Sequence, residues 1–496
     1  MINTTLLLLL LAVPLLAALG SVAVSQDRIR YALVLPSSFI TFALALTLIA
    51  RVLSGGPIRA LGDWLYLDDL NAVVLLVVMF VSSLAGAYSI AYFRSPQQGH
   101  VLRSGELRKY FSLFHLFTLT MVLATVSGNL ALLWTAVTAT TFASAPLVDF
   151  YGSREPLEAA WKFLVLAVAG ELIALLGFLL LYASGIALLG STYNFSVPVL
   201  GAAGAHLSPT LAGLGFMLVL VGFGTKAGLA PMHTWLPDAH SQAPAPVCAM
   251  LSGAELNCAM LAIIRVLSLA TPSAGHRAID LHAALLGFGL LSMIVGVVFL
   301  VSQRNFKRLL AYSSVEQMGL IAAGFGIGAP LAVVGALLQM LTHSLAKSLM
   351  FFNSGNLLLR FRTTTMAEVR GVIRVAPATA VLVILGALAI AGAPPFGLFV
   401  SEFSIVRGAL GQPNWGAGAI IAALLLVGFI ALVAPFSRMT FGEGDGTAPS
   451  ASPGSELGVG VLAPGFALLA AVLLLGFWVP GPLHSLLIGA SRVVNR

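Results

Sequence analysis

Charge is what this sequence has least of. Only 9% of its 496 residues are Asp, Glu, Lys or Arg, against about 25% in an ordinary soluble domain. A soluble globular enzyme is thereby excluded. Disorder is excluded too, because 59% of the residues are hydrophobic and the mean hydropathy is +1.00, too apolar for an unfolded chain. Cysteine is nearly absent. Cys248 and Cys258 are too few for a disulfide framework or an iron–sulfur site, no CxxC occurs, and both read as small core residues. There is no HExxH and no compact Cys/His cluster for a metal, no P-loop, and no GxGxxG after a strand for a nucleotide. The expectation is a protein without a metal or cofactor of its own. The net charge of +7 does not by itself mean nucleic acid, since membrane proteins gather basic residues on one side.

What is present is a series of apolar runs, each near the roughly 20 residues that cross a bilayer. They fall near 4–24, 31–50, 72–93, 110–128, 129–149, 160–183, 210–230, 247–271, 281–301, 309–327, 330–352, 378–410, 415–437 and 457–479. The reading is an all-α integral membrane protein with about fourteen transmembrane helices. The first run lacks the basic flank of a signal peptide and reads as a retained span. Sixteen Lys and Arg residues fall in the odd-numbered connections and five in the even-numbered ones. This places the odd connections in the cytoplasm and both termini outside it. The hydrophilic stretches 94–109, 353–376 and 438–456 read as loops, the last flexible by composition, and 481–492 reads as a short surface helix. The glycines read mostly as helix-packing residues.

Two runs look interrupted. The seventh ends in Lys226-Ala-Gly-Leu-Ala-Pro231, and the twelfth contains Ala393-Pro-Pro395. Broken helices at membrane depth are tolerated where the backbone is buried in protein or lines a wet cavity. The two breaks are five runs apart and each lies beside a titratable residue, Lys226 or Glu402. That spacing implies two inverted five-helix repeats. The expected organisation is three helices over 1–109, a first repeat over 110–272, a second over 273–440, and a loop with the last helix over 441–496.

A charged side chain at mid-bilayer costs about 2.5–3.5 kcal/mol, so buried ionisable residues carry the functional signal. The candidates are Glu171, Lys226, Glu255, Glu316, His343, Lys347 and Glu402, with His115 read as a core histidine. His343 and Lys347 are spaced i, i+4 and share one helix face. Acids and bases in series are the layout of a proton relay, and the competing reading is a set of separately satisfied structural residues. Asp238 and His240 lie in a Pro-bounded stretch and read as solvated.

Four motifs resemble those of the antiporter-like membrane subunits of respiratory complex I and its relatives. They are Gly224-Thr-Lys-Ala-Gly-Leu-Ala-Pro-Met-His-Thr-Trp-Leu-Pro-Asp-Ala-His-Ser-Gln-Ala-Pro-Ala-Pro-Val247, Phe306-Lys-Arg-Leu-Leu-Ala-Tyr-Ser-Ser-Val-Glu-Gln-Met-Gly319, Thr342-His-Ser-Leu-Ala-Lys-Ser-Leu-Met-Phe351 and Gly392-Ala-Pro-Pro-Phe-Gly-Leu-Phe-Val-Ser-Glu-Phe403. Within that superfamily, Tyr110-Phe-Ser-Leu-Phe-His115 and Leu157-Glu-Ala-Ala-Trp-Lys162 look like the hydrogenase-4 component F branch of energy-converting group 4 nickel–iron hydrogenases. The resemblance covers roughly 60–440. It implies a fourteen-helix fold with a half-channel in each repeat. It also implies central lysines at Lys226 and Lys347 and a terminal acid at Glu402. The family's fifth-span glutamate is replaced by Thr138. A buried lysine without a carboxylate partner loses its proton, so either Glu171 or Glu255 takes over the pairing or the first half-channel is impaired.

The function implied is proton translocation by a non-catalytic subunit in the inner membrane. Its partners would be the lipid bilayer, other membrane subunits and a peripheral redox arm such as a nickel–iron hydrogenase, with no nucleic acid. Three rivals stay open: a cation/proton antiporter subunit, a membrane subunit of inorganic-carbon uptake, and a structural anchor that does not pump.

Overall fold

The computed structural model describes residues 2–95, 97, 102–273, 280–413, 415–443 and 456–495. They form an all-α membrane protein. The N-terminal helices are α1 (Ile2–Ala23), α2 (Asp27–Gly55) and α3 (Asp69–Arg94). A small antiparallel hairpin, β1 (Ile58–Ala60) and β2 (Leu65–Leu67), sits before α3. Next come α4 (Ser104–Val126), α5 (Leu130–Val148), α6 (Arg154–Leu189), the short α7 (Val197–Ala203), α8 (Pro209–Lys226), α9 (Trp235–Gln242), α10 (Ala245–Met250) and α11 (Leu256–Ala270). A π-helical turn, Leu251–Glu255, joins α10 to α11. The chain continues with α12 (Leu281–Val301), α13 (Phe306–Ile327), α14 (Pro330–Phe361), the four-residue α15 (Val372–Val375), α16 (Pro377–Ile390), α17 (Gly397–Leu410) and α18 (Gly416–Phe441). It ends with α19 (Val459–Phe477) and α20 (Gly481–Val494).

All fourteen apolar runs are helical. Among the described residues, eleven helices are long and apolar enough to cross a membrane. Helices α13 and α14 fall outside that set, diluted by inward polar residues such as Ser313, Glu316, His343 and Lys347. The α16–α17 pair falls outside it because the break divides the run. Side-chain caps start several helices: Asp68, Asn129, Asp280 and Asn305 each accept a backbone N–H of the first turn, which satisfies donors the helix leaves free.

The two breaks share one local geometry. Helix α8 stops with Gly228 at φ 75° and α16 with Gly392 at φ 75°, a left-handed conformation that favours glycine. At the first break Leu229 N–H donates to Gly224 O (2.8 Å) and Gly228 N–H to Thr225 O (3.2 Å). At the second, Ala393 N–H donates to Leu388 O (3.0 Å) and Gly392 N–H to Ala389 O (3.2 Å). Both are Schellman ends, followed by proline as such ends often are.

Packing is closest where glycines meet backbone. A Cβ at Gly170 would lie 2.7 Å from Gly222 O, and one at Gly177 2.6 Å from Gly215 O, so α6 and α8 touch along their main chains. Gly289, Gly296 and Gly319 do the same between α12 and α13. Small residues allow this approach where lipid supplies no hydrophobic drive.

Four expectations need correction. The loop expected over 94–109 is helix from Ser104 onward, the start of α4. Residues 353–361 are the last turns of α14, not loop. Asn353 and Asn356 are buried there: Asn353 donates to Leu382 O (2.9 Å), and Asn356 accepts from Tyr88 (2.9 Å). Asp238 and His240 lie on α9, and His240 is fully buried. Of the 438–456 stretch, α18 takes the residues up to Phe441, and 444–455 lie outside the described residues. The expected helix near 481–492 is α20, whose Leu486, Leu487, Ala490 and Val493 are buried against the bundle.

Candidate functional site

Lys226 is the last residue of α8 and is completely buried. The glycine contact between α6 and α8 sets Glu171 beside it, and the π turn swings Glu255 in from the other side. The Lys226 ammonium lies 2.6 Å from Glu255 Oε1 and 3.8 Å from Glu171 Oε1. Thr141 of α5 closes the group: it accepts from Lys226 and donates to Glu171. Ser144 donates to Glu255 Oε1 at 3.2 Å, and the Phe163 ring lies 5.0 Å below the ammonium, within cation–π range. Thr138 does not contribute; its hydroxyl makes no hydrogen bond among the described residues.

The π turn also faces the second half of the chain. Three residues before Glu255, Ser252 shares a 2.8 Å hydrogen bond with Ser314 of α13. The neighbouring Ser313 accepts from Lys347. Lys347 also donates to Leu310 O at 2.6 Å, so neutral oxygens of α13 hold it. His343 shares a helix face with Lys347 but is not hydrogen-bonded to it: both ring nitrogens of His343 lack a hydrogen-bond partner among the described residues. Glu316, one turn beyond Ser313, is buried within electrostatic reach of Lys347 and Glu402.

Glu402 is held by amides. Gln317 donates to its Oε1 at 3.1 Å, Gln339 donates to Gln317, and Ser401 donates to Gln339. Thr342 and Ser401 share a hydrogen bond of 3.1 Å. This string ties α13, α14 and α17 together beside the second break. His115 is a buried core histidine packed edge-on against Phe114.

Sequence reasoning missed Thr141, Gln317, Gln339 and His240. A threonine that back-bonds in a helix is common, so Thr141 carried no signal. Gln317 and Gln339 could have been flagged as amides inside apolar runs. His240 stacks on Phe351 (centroids 4.9 Å apart) with both nitrogens unpartnered among the described residues, within electrostatic reach of Lys307 and Lys347.

Residues 127–431 match the family described as NADH:quinone oxidoreductase/Mrp antiporter, TM. The chain belongs to that family. Among the relatives of this family member, a hydrogenase-4 component F homolog of Methylacidiphilum infernorum is 36% identical over 393 residues, 77% of this chain and 80% of the relative. An NADH-quinone oxidoreductase subunit N of Desulforudis audaxviator is 30% identical over 383 residues, 76% and 72% of the two chains. The fold is shared with a chain of the archaeal membrane-bound sulfane sulfur reductase, with a TM-score of 0.86 at 24% identity over 99% of this chain and 97% of that one. It is shared equally with a chain of the Mrp complex of Dietzia sp., TM-score 0.86 at 22% identity over 100% and 98%.

Proposed function

We propose that this chain is the proton-translocating membrane subunit of a redox-driven complex. The observation that carries the reading is Lys226: a fully buried ammonium between Glu255 and Glu171, with Thr141 bridging. Moving a carboxylate toward or away from a lysine changes how tightly each holds its proton, and each pK unit is worth about 1.4 kcal/mol. Small movements of α6 or of the π turn therefore suffice to load or release the site. The path runs from Glu171, Lys226 and Glu255 across the Ser252–Ser314 contact to Lys347, and on through Glu316 to Glu402, with His343 beside Lys347. Glu255 and Glu171 together replace the partner lost at Thr138. The matching Schellman ends support two inverted units over 110–272 and 273–440. The complex sits in the inner membrane with both termini of this chain outside the cytoplasm. Its other members are membrane subunits and a peripheral redox arm of the nickel–iron hydrogenase kind, a reading supported by the hydrogenase-4 relative.

The test is redox-driven acidification in proteoliposomes containing the intact purified complex. Lys226→Ala and Lys347→Ala, each with the complex still assembled, are expected to cut pumping at least tenfold. Full pumping by both would overturn the proposal and leave a structural anchor. Transport that follows sodium and not protons would favour the antiporter reading, which the likeness to the Mrp chain supports.

A further inference from the structure

Two glycines of the second unit do something the packing glycines do not. On α12 and α13, a Cβ at Gly289, Gly296 or Gly319 would strike main-chain atoms of the facing helix. A Cβ at Gly428 of α18 would instead meet the carboxylate of Glu316, overlapping Oε1 and lying 2.9 Å from Cδ and 3.1 Å from Oε2. A Cβ at Gly392 would likewise overlap Glu402 Oε2. Gly392 is explained by its positive φ. Gly428 is not, because it lies in the middle of a 26-residue helix, where glycine costs about 1 kcal/mol relative to alanine.

The surroundings of Gly428 sharpen the point. The buried stripe of α18 carries Ile421, Leu432, Phe436 and Met439, large side chains at helical spacing, with glycine at 428 between them. The gap is filled from the other side by Glu316, which is 1% exposed and whose Oε2 makes no hydrogen bond among the described residues. On its own helix Glu316 is fixed from behind, since its main chain is pressed against Gly296. The position its carboxylate takes is therefore open only because residue 428 has no side chain.

We infer that Gly428 is a positioning residue for Glu316: the missing side chain on α18 holds the carboxylate at the middle station between Lys347 and Glu402. This rests on the proton path proposed above and adds to it a helix that supplies the path with no acid, lysine or histidine. A methyl at 428 would meet the mobile end of the side chain and not backbone, so the carboxylate would be displaced and the helices would keep their places. Aspartate at 316 withdraws the carboxylate by one methylene and makes room for that methyl.

The experiment compares Gly428→Ala, Glu316→Asp and the double variant in the intact complex in proteoliposomes. Gly428→Ala is expected to lower pumping about tenfold, equivalent to about 1.4 kcal/mol, and to displace its pH profile. In the double variant both readouts are expected to return to those of Glu316→Asp alone. Wild-type pumping by Gly428→Ala overturns the inference, and so does a double variant with the losses of both single changes. If Gly428→Ala fails to assemble, recovery of assembled complex in the double variant supports the clash, and no recovery overturns it. Glu316→Gln separates the two proposals. If it pumps fully, the proton path itself is wrong. If it stops pumping while Gly428→Ala pumps normally, only the positioning role is wrong.

Discussion

At the scale of single residues, the two buried lysines are held in different ways. Lys226 sits between two carboxylates, whereas Lys347 donates to a carbonyl and a hydroxyl of α13. Glu255 is the nearer acid, and Glu171 acts across a longer distance and through Thr141. Glu255→Gln is therefore expected to reduce pumping more than Glu171→Gln, and full pumping in both would remove these acids from the path. Thr141→Val deletes a hydroxyl bonded to two charged groups; such bonds contribute about 1.5–3 kcal/mol each. Its expected cost is a tenfold or greater loss of pumping in the assembled complex. Rates equal to wild type would show that the bridge is incidental. The seven buried acids and bases stood out in the sequence because each interrupts an apolar run. Which of them meet was not visible there, and Thr141 lay unremarked beside Thr140.

At the scale of elements, α9 is a short half-helix tied down at several points. Asp238 pairs with Lys162 of α6 (3.4 Å) and Arg308 of α13 (3.0 Å). The buried Lys307 ammonium donates to Ala243 O (2.6 Å) and Ser241 O (3.2 Å), capping its C-terminal end. The Asp238 pairs are partly exposed, so Asp238→Asn is expected to cost under about 1 kcal/mol. Lys307→Met removes two hydrogen bonds from a charged donor, at about 1.5–3 kcal/mol each. Amide hydrogen exchange over 235–243 should therefore rise far more in Lys307→Met than in Asp238→Asn, and equal protection in both would refute this ranking. Both helix breaks were legible from their prolines. The length of α14 was not legible. Polar residues such as Asn353 and Asn356 read as loop when their partners on α16 and α3 are unknown.

At the scale of the whole molecule, a buried clasp joins the start of α3 to α11. Arg265 of α11 donates both terminal nitrogens to Asp68, at 2.8 and 2.7 Å, and one of them also to Asn71 at 2.5 Å. Asp68 at the same time caps α3. Asp68→Ala would leave the buried guanidinium without its counter-charge, a loss of about 3–5 kcal/mol. It is expected to lower the thermal unfolding midpoint of the detergent-purified protein well below that of an exposed-residue control such as Arg59→Ala; an unchanged midpoint would count against the clasp. Neither Asp68 nor Arg265 is singled out as a site in the sequence: Asp68 precedes an apolar run and Arg265 counts with the basic residues of a connection. The sequence alone determined that this protein is helical, membrane-embedded and twice broken, because hydropathy, glycine and proline act locally on the chain. Only the tertiary structure decided which buried charges pair and which stand apart. Pairing depends on the rotation and closeness of helices far separated in sequence, set here by glycines pressed against backbone and by one π turn, and a one-dimensional pattern does not encode those distances.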